Sequence, residues 1–265
     1  MTMLIEQHKK MHEHASERAA STARWIQAAG FILIVAVAVI AVMLLSAPAG
    51  AQQLPPNSLM DDEVAAGWEL LFDGETLDGW RTYNQEGIHD GWTVEDGTLT
   101  RIGGGGDIIY AARQYHDFDL RIDWMVEEAG NSGIFYRAEE DVVNAIFKSA
   151  VEMQVLDDAN HYDGGSPYTS AGAVYGLYPA PRGVVKPAGE WNSARVMARG
   201  PHVEHWLNGV KVAEYQLGSP EWAALVAGSK FVQWPEFGTS LRGYIGLQDH
   251  GDRVWYRNMK IRELR

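Results

Sequence analysis

The chain has 265 residues, 46% of them hydrophobic, with no cysteine and a formal net charge of −13. It can bury a full core, and the lack of cysteine excludes disulfide frameworks, thiol catalysis, cysteine-ligated metals and lipid attachment at a cysteine. A surface this acidic argues against nucleic acid as a partner.

Lys9, Lys10, Arg18 and Arg24 precede fifteen consecutive apolar residues from Phe31 to Leu45, and no charge occurs between Arg24 and Asp61. Ala47-Pro48-Ala49-Gly50-Ala51 follows, with small residues at the alternate positions a signal peptidase accepts. Residues 1–51 therefore read either as a signal peptide cut after Ala49 or Ala51, or as an uncleaved anchor, since the 23 residues from Trp25 to Ala47 just span a bilayer. Both readings export the rest of the chain, to the periplasm or to a membrane-anchored position outside the cytoplasm. The exported part keeps 18 basic against 32 acidic side chains, a charge of −14.

Residues 52–66, with Pro55-Pro56 and Asp61-Asp62-Glu63, lack periodicity and read as a linker. Residues 67–265 are expected to form one domain of short apolar runs divided by Gly, Asp and Asn. The runs are Trp68–Phe72, Trp92–Val94, Thr98–Ile102, Phe118–Val126, Ile134–Arg137, Val151–Leu156, Ala173–Leu177, Ala194–Ala198, Val203–Leu207, Val210–Tyr215, Tyr244–Gln248 and Val254–Ile261. In the clearest of them Phe118, Leu120, Ile122, Trp124 and Val126 share one face while Asp119, Arg121 and Asp123 share the other. Asp96-Gly97 and Asn208-Gly209 are hairpin turns. One short helix is expected over Glu221–Ala227, with Ser219 as N-cap, Pro220 in its first position and Gly228 closing it. These features predict an all-β fold, a two-sheet sandwich or jelly roll.

Gly103–Gly106 has neither the Lys-Ser/Thr pair nor the helix that a phosphate cradle needs, so it reads as a flexible connection. More informative is Glu152 to Asp158, where a strand puts Glu152 and Gln154 on one face and Met153 and Val155 on the other. A polar pair opposite an apolar pair suggests a ligand-facing surface. Its spacing approaches that of the paired carboxylates of sandwich-fold glucanases, except that Gln154 replaces an acid. Asp157 and Asp158, crowded with Asn160, His161 and Asp163, could hold a divalent cation such as Ca²⁺, or form the acidic turn that such loops usually are. Gln248, Asp249 and His250 end a strand, with Gln248 and His250 pointing away from its core-facing residues. His250 and His205 are candidates for proton transfer near neutrality, against the alternative of structural hydrogen bonding. Arg137, after Tyr136, is the cation expected near a ligand oxygen. Nine tryptophans in the exported part suit sugar stacking, although most belong to a core.

Taken together, Gly67-Trp68, Leu71-Phe72-Asp73-Gly74, Gly79-Trp80, Trp92 to Gly97, Asn131 to Arg137, Glu152 to Asp158 with His161, Lys186-Pro187, Gly189 to Asn192, His205 to Gly209, and Leu247 to Gly251 resemble a bacterial family. It is the 3-keto-disaccharide hydrolase domain, formerly a domain of unknown function, with the concanavalin A-like lectin/glucanase jelly roll of two antiparallel sheets. The resemblance implies action on glycosides already oxidised at C3 by a separate oxidoreductase. It implies cleavage by elimination across C1–C2, hydration of the resulting 2-hydroxyglucal, or both.

A ketone at C3 acidifies the C2 proton, so such a site needs a base, a donor or cation for the enolate oxygen, and an acid at the leaving oxygen. Glu152 or His161 is expected as the base. Arg137 or a metal around Asp157 would face the enolate, and His250 or His205 would protonate the leaving group. Tyr136, Gln154, Gln248 and Asp249 complete the expected substrate contacts. A lectin-like binding module and a conventional glycoside hydrolase are the competing expectations.

Overall fold

The computed structural model describes residues 54–264. The signal peptide or anchor expected over residues 1–51 lies outside the described residues. Among the described residues, no helix is long and apolar enough to cross a membrane.

Thirteen strands form two antiparallel sheets; the two-sheet sandwich is as the sequence predicts, whereas the strands Trp80–Thr82 and Ile108–Tyr110 are not among its expected runs. The larger runs in the order β11 (Val210–Gln216), β10 (His202–Leu207), β9 (Asn192–Arg199), β6 (Phe118–Val126), β13 (Val254–Glu263), β4 (Thr98–Arg101) and β3 (Trp92–Glu95), with β1 (Trp68–Leu70) also paired to β13. The smaller runs β2 (Trp80–Thr82), β5 (Ile108–Tyr110), β12 (Tyr244–Leu247), β7 (Asn131–Ala138) and β8 (Val151–Leu156). Asp96-Gly97 and Asn208-Gly209 take the paired positive φ of tight hairpin turns, 47° and 74° in the first and 49° and 81° in the second. The predicted helix spans Pro220–Ala227, where Ser219 Oγ accepts from Trp222 N at 3.1 Å.

The core lies between the sheets. Phe118, Leu120, Ile122, Trp124 and Val126 of β6 meet Ile134, Tyr136, Met153, Val155, Ile245 and Leu247 from the smaller sheet, all fully or almost fully buried. Asp119, expected on a wet face, is buried because Arg195 grips it at 2.7 Å and Arg121 and Arg262 approach it within 4 Å.

Three further expectations change. Residues 54–66 do not behave as a linker, because they dock on β13. Asn57 N donates to Asn258 Oδ1 and Asn258 N donates to Asn57 Oδ1, at 2.8 and 2.7 Å, and Glu63 pairs with Lys260. A short helix, Asp61–Ala65, forms within this segment, so the described residues hold two helices rather than one. The expected strand over Ala173–Leu177 is reduced to single bridges from Val174 to Met153 and to Tyr178, because the backbone reverses at Gly172 and Gly176.

The outer face of the smaller sheet positions the candidate site. Toward one end, Phe135, Ile109 and Ala138 are covered by Ile146 and Ala150 from the segment that joins β7 to β8. Burying Ile146 there is worth about 2 kcal/mol. Toward the other end the outward side chains are polar, and a cavity opens over them.

Candidate active site

The alternation of β8 places Met153 and Val155 in the core and Glu152 and Gln154 on the outer face, as its sequence predicts. Gln154 lies opposite Gly133 on β7, and Gln248 N donates to Gly133 O at 2.9 Å. Gln154, Gly133 and Gln248 therefore form one row across three neighbouring chain segments. The Glu152 carboxyl bends over the middle of this row, where a Cβ on residue 133 would sit 2.3 Å from Glu152 Oε1. Only glycine leaves room for it.

Above the row is a cavity of about 170 Å³, floored by Asn131, Glu152, Gln154 and Gln248, walled by Phe147, Tyr175, Lys230 and Phe231, and rimmed by the exposed His250. It suits one small polar ring rather than a long saccharide. Among the described residues lining it, Glu152 is the only acid.

Glu152 is 8% exposed, and burial pushes its carboxyl up to about 8. The Lys230 ammonium opposes this rise, as does a hydrogen bond from Gln248, while the charges of Asp107 and Asp163 add to it. Lys230 begins a turn, Lys230–Gln233, whose entry is capped by Ser229 Oγ accepting from Phe231 N. Its Nζ lies 4.5 Å from the centre of the Tyr175 ring. Tyr175 donates its hydroxyl to Asp163 Oδ2 at 3.3 Å and, being half-buried, is pushed up to about 12. The side-chain amide oxygens of Gln154 and Gln248 are buried without a hydrogen-bond partner.

His161 stands beside the cavity, its ring centre 6.3 Å from that of His250. It caps the turn Tyr162–Gly165 by accepting from Asp163 N at its Nδ1, 3.0 Å away. His161, His250 and Asp252 bring one metal-ligand type of atom each within 4.8 Å of one another. The His161 contact with Asp163 N spends the Nδ1 lone pair, and the neutral ring then carries its proton on Nε2. The trio does not offer three lone pairs, so its donor set does not fit a divalent cation.

Other expected site residues lie elsewhere. His205 and Tyr136 are fully buried between the sheets, joined by a 2.7 Å hydrogen bond, with Tyr215 on the Tyr136 hydroxyl and Gly172 O 3.1 Å from His205 Nδ1. Burial drives His205 down to about 4. It is a neutral core residue and takes no part in the cavity. Arg137 is buried against Phe118 and donates to His116 O and Gly200 O at 2.7 and 2.8 Å, so the cation expected for a ligand oxygen does not line the cavity.

Asp157 and Asp158, the expected cation ligands, instead hold backbone. Asp157 accepts from Ala129 N, Ala159 N and the Asn160 side chain, and Asp158 accepts from Ala171 N. Asp249 sits next to Gln248 but pairs with Arg101 at 2.6 Å and accepts from Gly105 N and Gly106 N, both at 2.8 Å. The Gly103–Gly106 connection, expected to be flexible, is thereby pinned.

A family model for a 3-keto-alpha-glucoside-1,2-lyase-like domain matches residues 67–262. The chain belongs to this family. A protein of Bacteroides thetaiotaomicron named 3-keto-disaccharide hydrolase is 38% identical over 239 residues, which cover 78% of this chain and 82% of that protein. A solved structure from Parabacteroides distasonis, put forward as a glycosyl hydrolase, superposes with a TM-score of 0.73 at 34% identity, covering 80% of this chain and 100% of that one. A second from the same organism gives 0.58 at 31%, covering 74% and 99%. The 3-keto-glucoside lyase-like family is thus one of carbohydrate-active, hydrolase-like enzymes.

Within this family member, sequence reasoning missed Lys230, Tyr175, Phe147 and Phe231, and it met Asn131 only as part of a motif. Lys230 reaches the site because the chain after the Pro220–Ala227 helix folds back over β8, and no periodicity marks that path.

Proposed function

We propose that the protein cleaves glycosides oxidised at C3, by removing the C2 proton and expelling the C1 oxygen. The observation that carries this reading is Glu152: one buried carboxyl, raised to about 8, alone among acids in a cavity that also holds Lys230 and His250. Hydrolysis by two opposed carboxylates would need a second acid about 5–9 Å away across the scissile bond. Elimination from a 3-keto sugar needs one base of raised pKa, which burial supplies.

Ionised Glu152 takes the proton from C2, and the electron pair moves onto the C3 oxygen as an enolate facing the Lys230 ammonium. Collapse of the enolate restores the ketone, forms the C1=C2 double bond and breaks the C1–O bond. His250, on the open rim, gives the leaving oxygen its proton. Addition of water across C1=C2 by the same groups, run in reverse order, would return the free 3-keto sugar. The substrate must come from an oxidoreductase that makes the C3 ketone. The N-terminal segment, which reads as a signal peptide or anchor, supports placing this reaction outside the cytoplasm.

The test is paired incubation of the purified protein with a glucoside and its 3-keto derivative, followed by absorbance of the enone and by mass. Cleavage of the keto form alone is the expected result. Equal cleavage of both would restore the two-carboxylate reading, and binding without turnover would make the domain a lectin-like module.

A further inference from the structure

A run of three side chains leads from beside the cavity into its floor, and its hydrogen-bond polarity is set from one end. His161 Nδ1 accepts from the backbone N–H of Asp163 at 3.0 Å, and a backbone N–H cannot reverse its role. The neutral ring therefore carries its proton on Nε2. That N–H faces the terminal amide of Asn131 at 3.4 Å. Facing a donor, Asn131 must turn its carbonyl oxygen to His161 and its NH₂ the other way. The other way lies the terminal amide of Gln154, also 3.4 Å from Asn131. Gln154 meets that NH₂ with its own oxygen.

With its NH₂ on Asn131, Gln154 buries a carbonyl oxygen that has no partner, on a side chain only 1% exposed. An unpaired buried carbonyl is costly. With the polarity dictated by His161, Asn131 satisfies the oxygen, and the unpartnered position, equally buried, passes to an NH₂ on a residue that lines the cavity.

We propose that His161 and Asn131 lock Gln154 with its NH₂ free for the cavity, as the donor that receives the C3 oxygen of the oxidised sugar. The identity of that oxygen rests on the 3-keto-glycoside reading above, whereas the polarity of the run does not. A ketone oxygen can only accept, and it accepts more strongly as the C2 proton leaves and charge gathers on it. Gln154 would then stabilise the enolate more than the ground state, acting alongside Lys230. Gln154 touches the substrate; Asn131 and His161 are positioning residues.

Two measurements test this. The first is long-range ¹⁵N–¹H correlation of the His161 ring in histidine-labelled wild-type protein, before and after adding Mn²⁺ or Zn²⁺. The Nε2-protonated form, unmoved by metal, is expected. An Nδ1-protonated ring, or a ring that takes up one equivalent of metal together with His250, overturns the proposed polarity. The second is the affinity ratio for a 3-keto-glucoside over the parent glucoside. Gln154→Glu, the same shape without the NH₂, should lower this ratio at least about tenfold and kcat about a hundredfold. Asn131→Asp, which has no NH₂ to hold Gln154, should lower the ratio in the same direction. An unchanged ratio in Gln154→Glu overturns the donor role. A wild-type protein that binds no keto sugar overturns the substrate assignment and the reading it rests on, while the ring measurement still decides the polarity.

Discussion

On the core side of β7, Tyr136, His205 and Tyr215 are buried with every polar atom paired, from Gly172 O through the histidine ring to the two hydroxyls. On the outer face of neighbouring β8, Glu152 and Gln154 are also buried, beside Gln248, yet one side-chain amide position on each glutamine lacks a partner and the carboxyl is pushed up to about 8. Both regions were candidates for chemistry on residue type alone. The first spends its hydrogen bonds on itself and is structure. The second holds unspent groups around a cavity, which is what a site that must bind and ionise a substrate requires.

The largest effect should come from Glu152→Gln. Losing the base should lower turnover of a 3-keto-glucoside about a thousandfold, as measured by steady-state kinetics. The same variant should be more stable than the wild type. A carboxyl whose native pKa is raised favours the fold when protonated, so that stability is present at low pH and is lost as pH rises toward about 8. Melting curves should coincide near pH 4 and separate by a few degrees, the variant higher, by about pH 8. A variant that melts lower at pH 8 would place Glu152 with the satisfied residues.

Lys230→Met should cost ten- to a hundredfold in kcat and move the pH at which activity is half-maximal upward, because the ammonium that holds Glu152 down is gone. A loss of rate with no shift in the pH profile would separate Lys230 from Glu152. Tyr136→Phe should show the opposite behaviour. It strips partners from His205 and Tyr215 and should cost about 1–3 kcal/mol of unfolding free energy in urea, with kcat per folded molecule unchanged.

Much of this division was legible in the sequence. The alternation of Glu152 and Gln154 against Met153 and Val155 put the right side chains on the outer face, and the Ser219-Pro220 start marked the helix. The same alternation also held the correction for His205, which is in phase with Val203 and Leu207, both buried. Tyr136 is likewise in phase with Ile134. Arg137 was beyond that logic, because its φ of +56° breaks the strand pattern and swings it toward Gly200.

Residues that reach the site or the sheet through loops left no local signal. Lys230 depends on where a turn after a helix comes to rest. Asn57 finds its partner Asn258 at a separation of 201 residues, so a docked segment had the composition of a linker. Asp157 and Asp158 showed the composition of a cation loop, and only their hydrogen-bond partners reveal that both oxygens of Asp157 and one of Asp158 hold the loop together.

The central claim is that buried Glu152 is the base, and the pH dependence of kcat/KM on a 3-keto-glucoside with a nitrophenyl leaving group, which departs without a proton from His250, tests it most directly. Between about pH 5 and about pH 10 the account predicts a tenfold rise per pH unit that levels off near 8, in a profile that Glu152→Gln abolishes. A wild-type profile that is flat across that range, or that falls through pH 8, would contradict it.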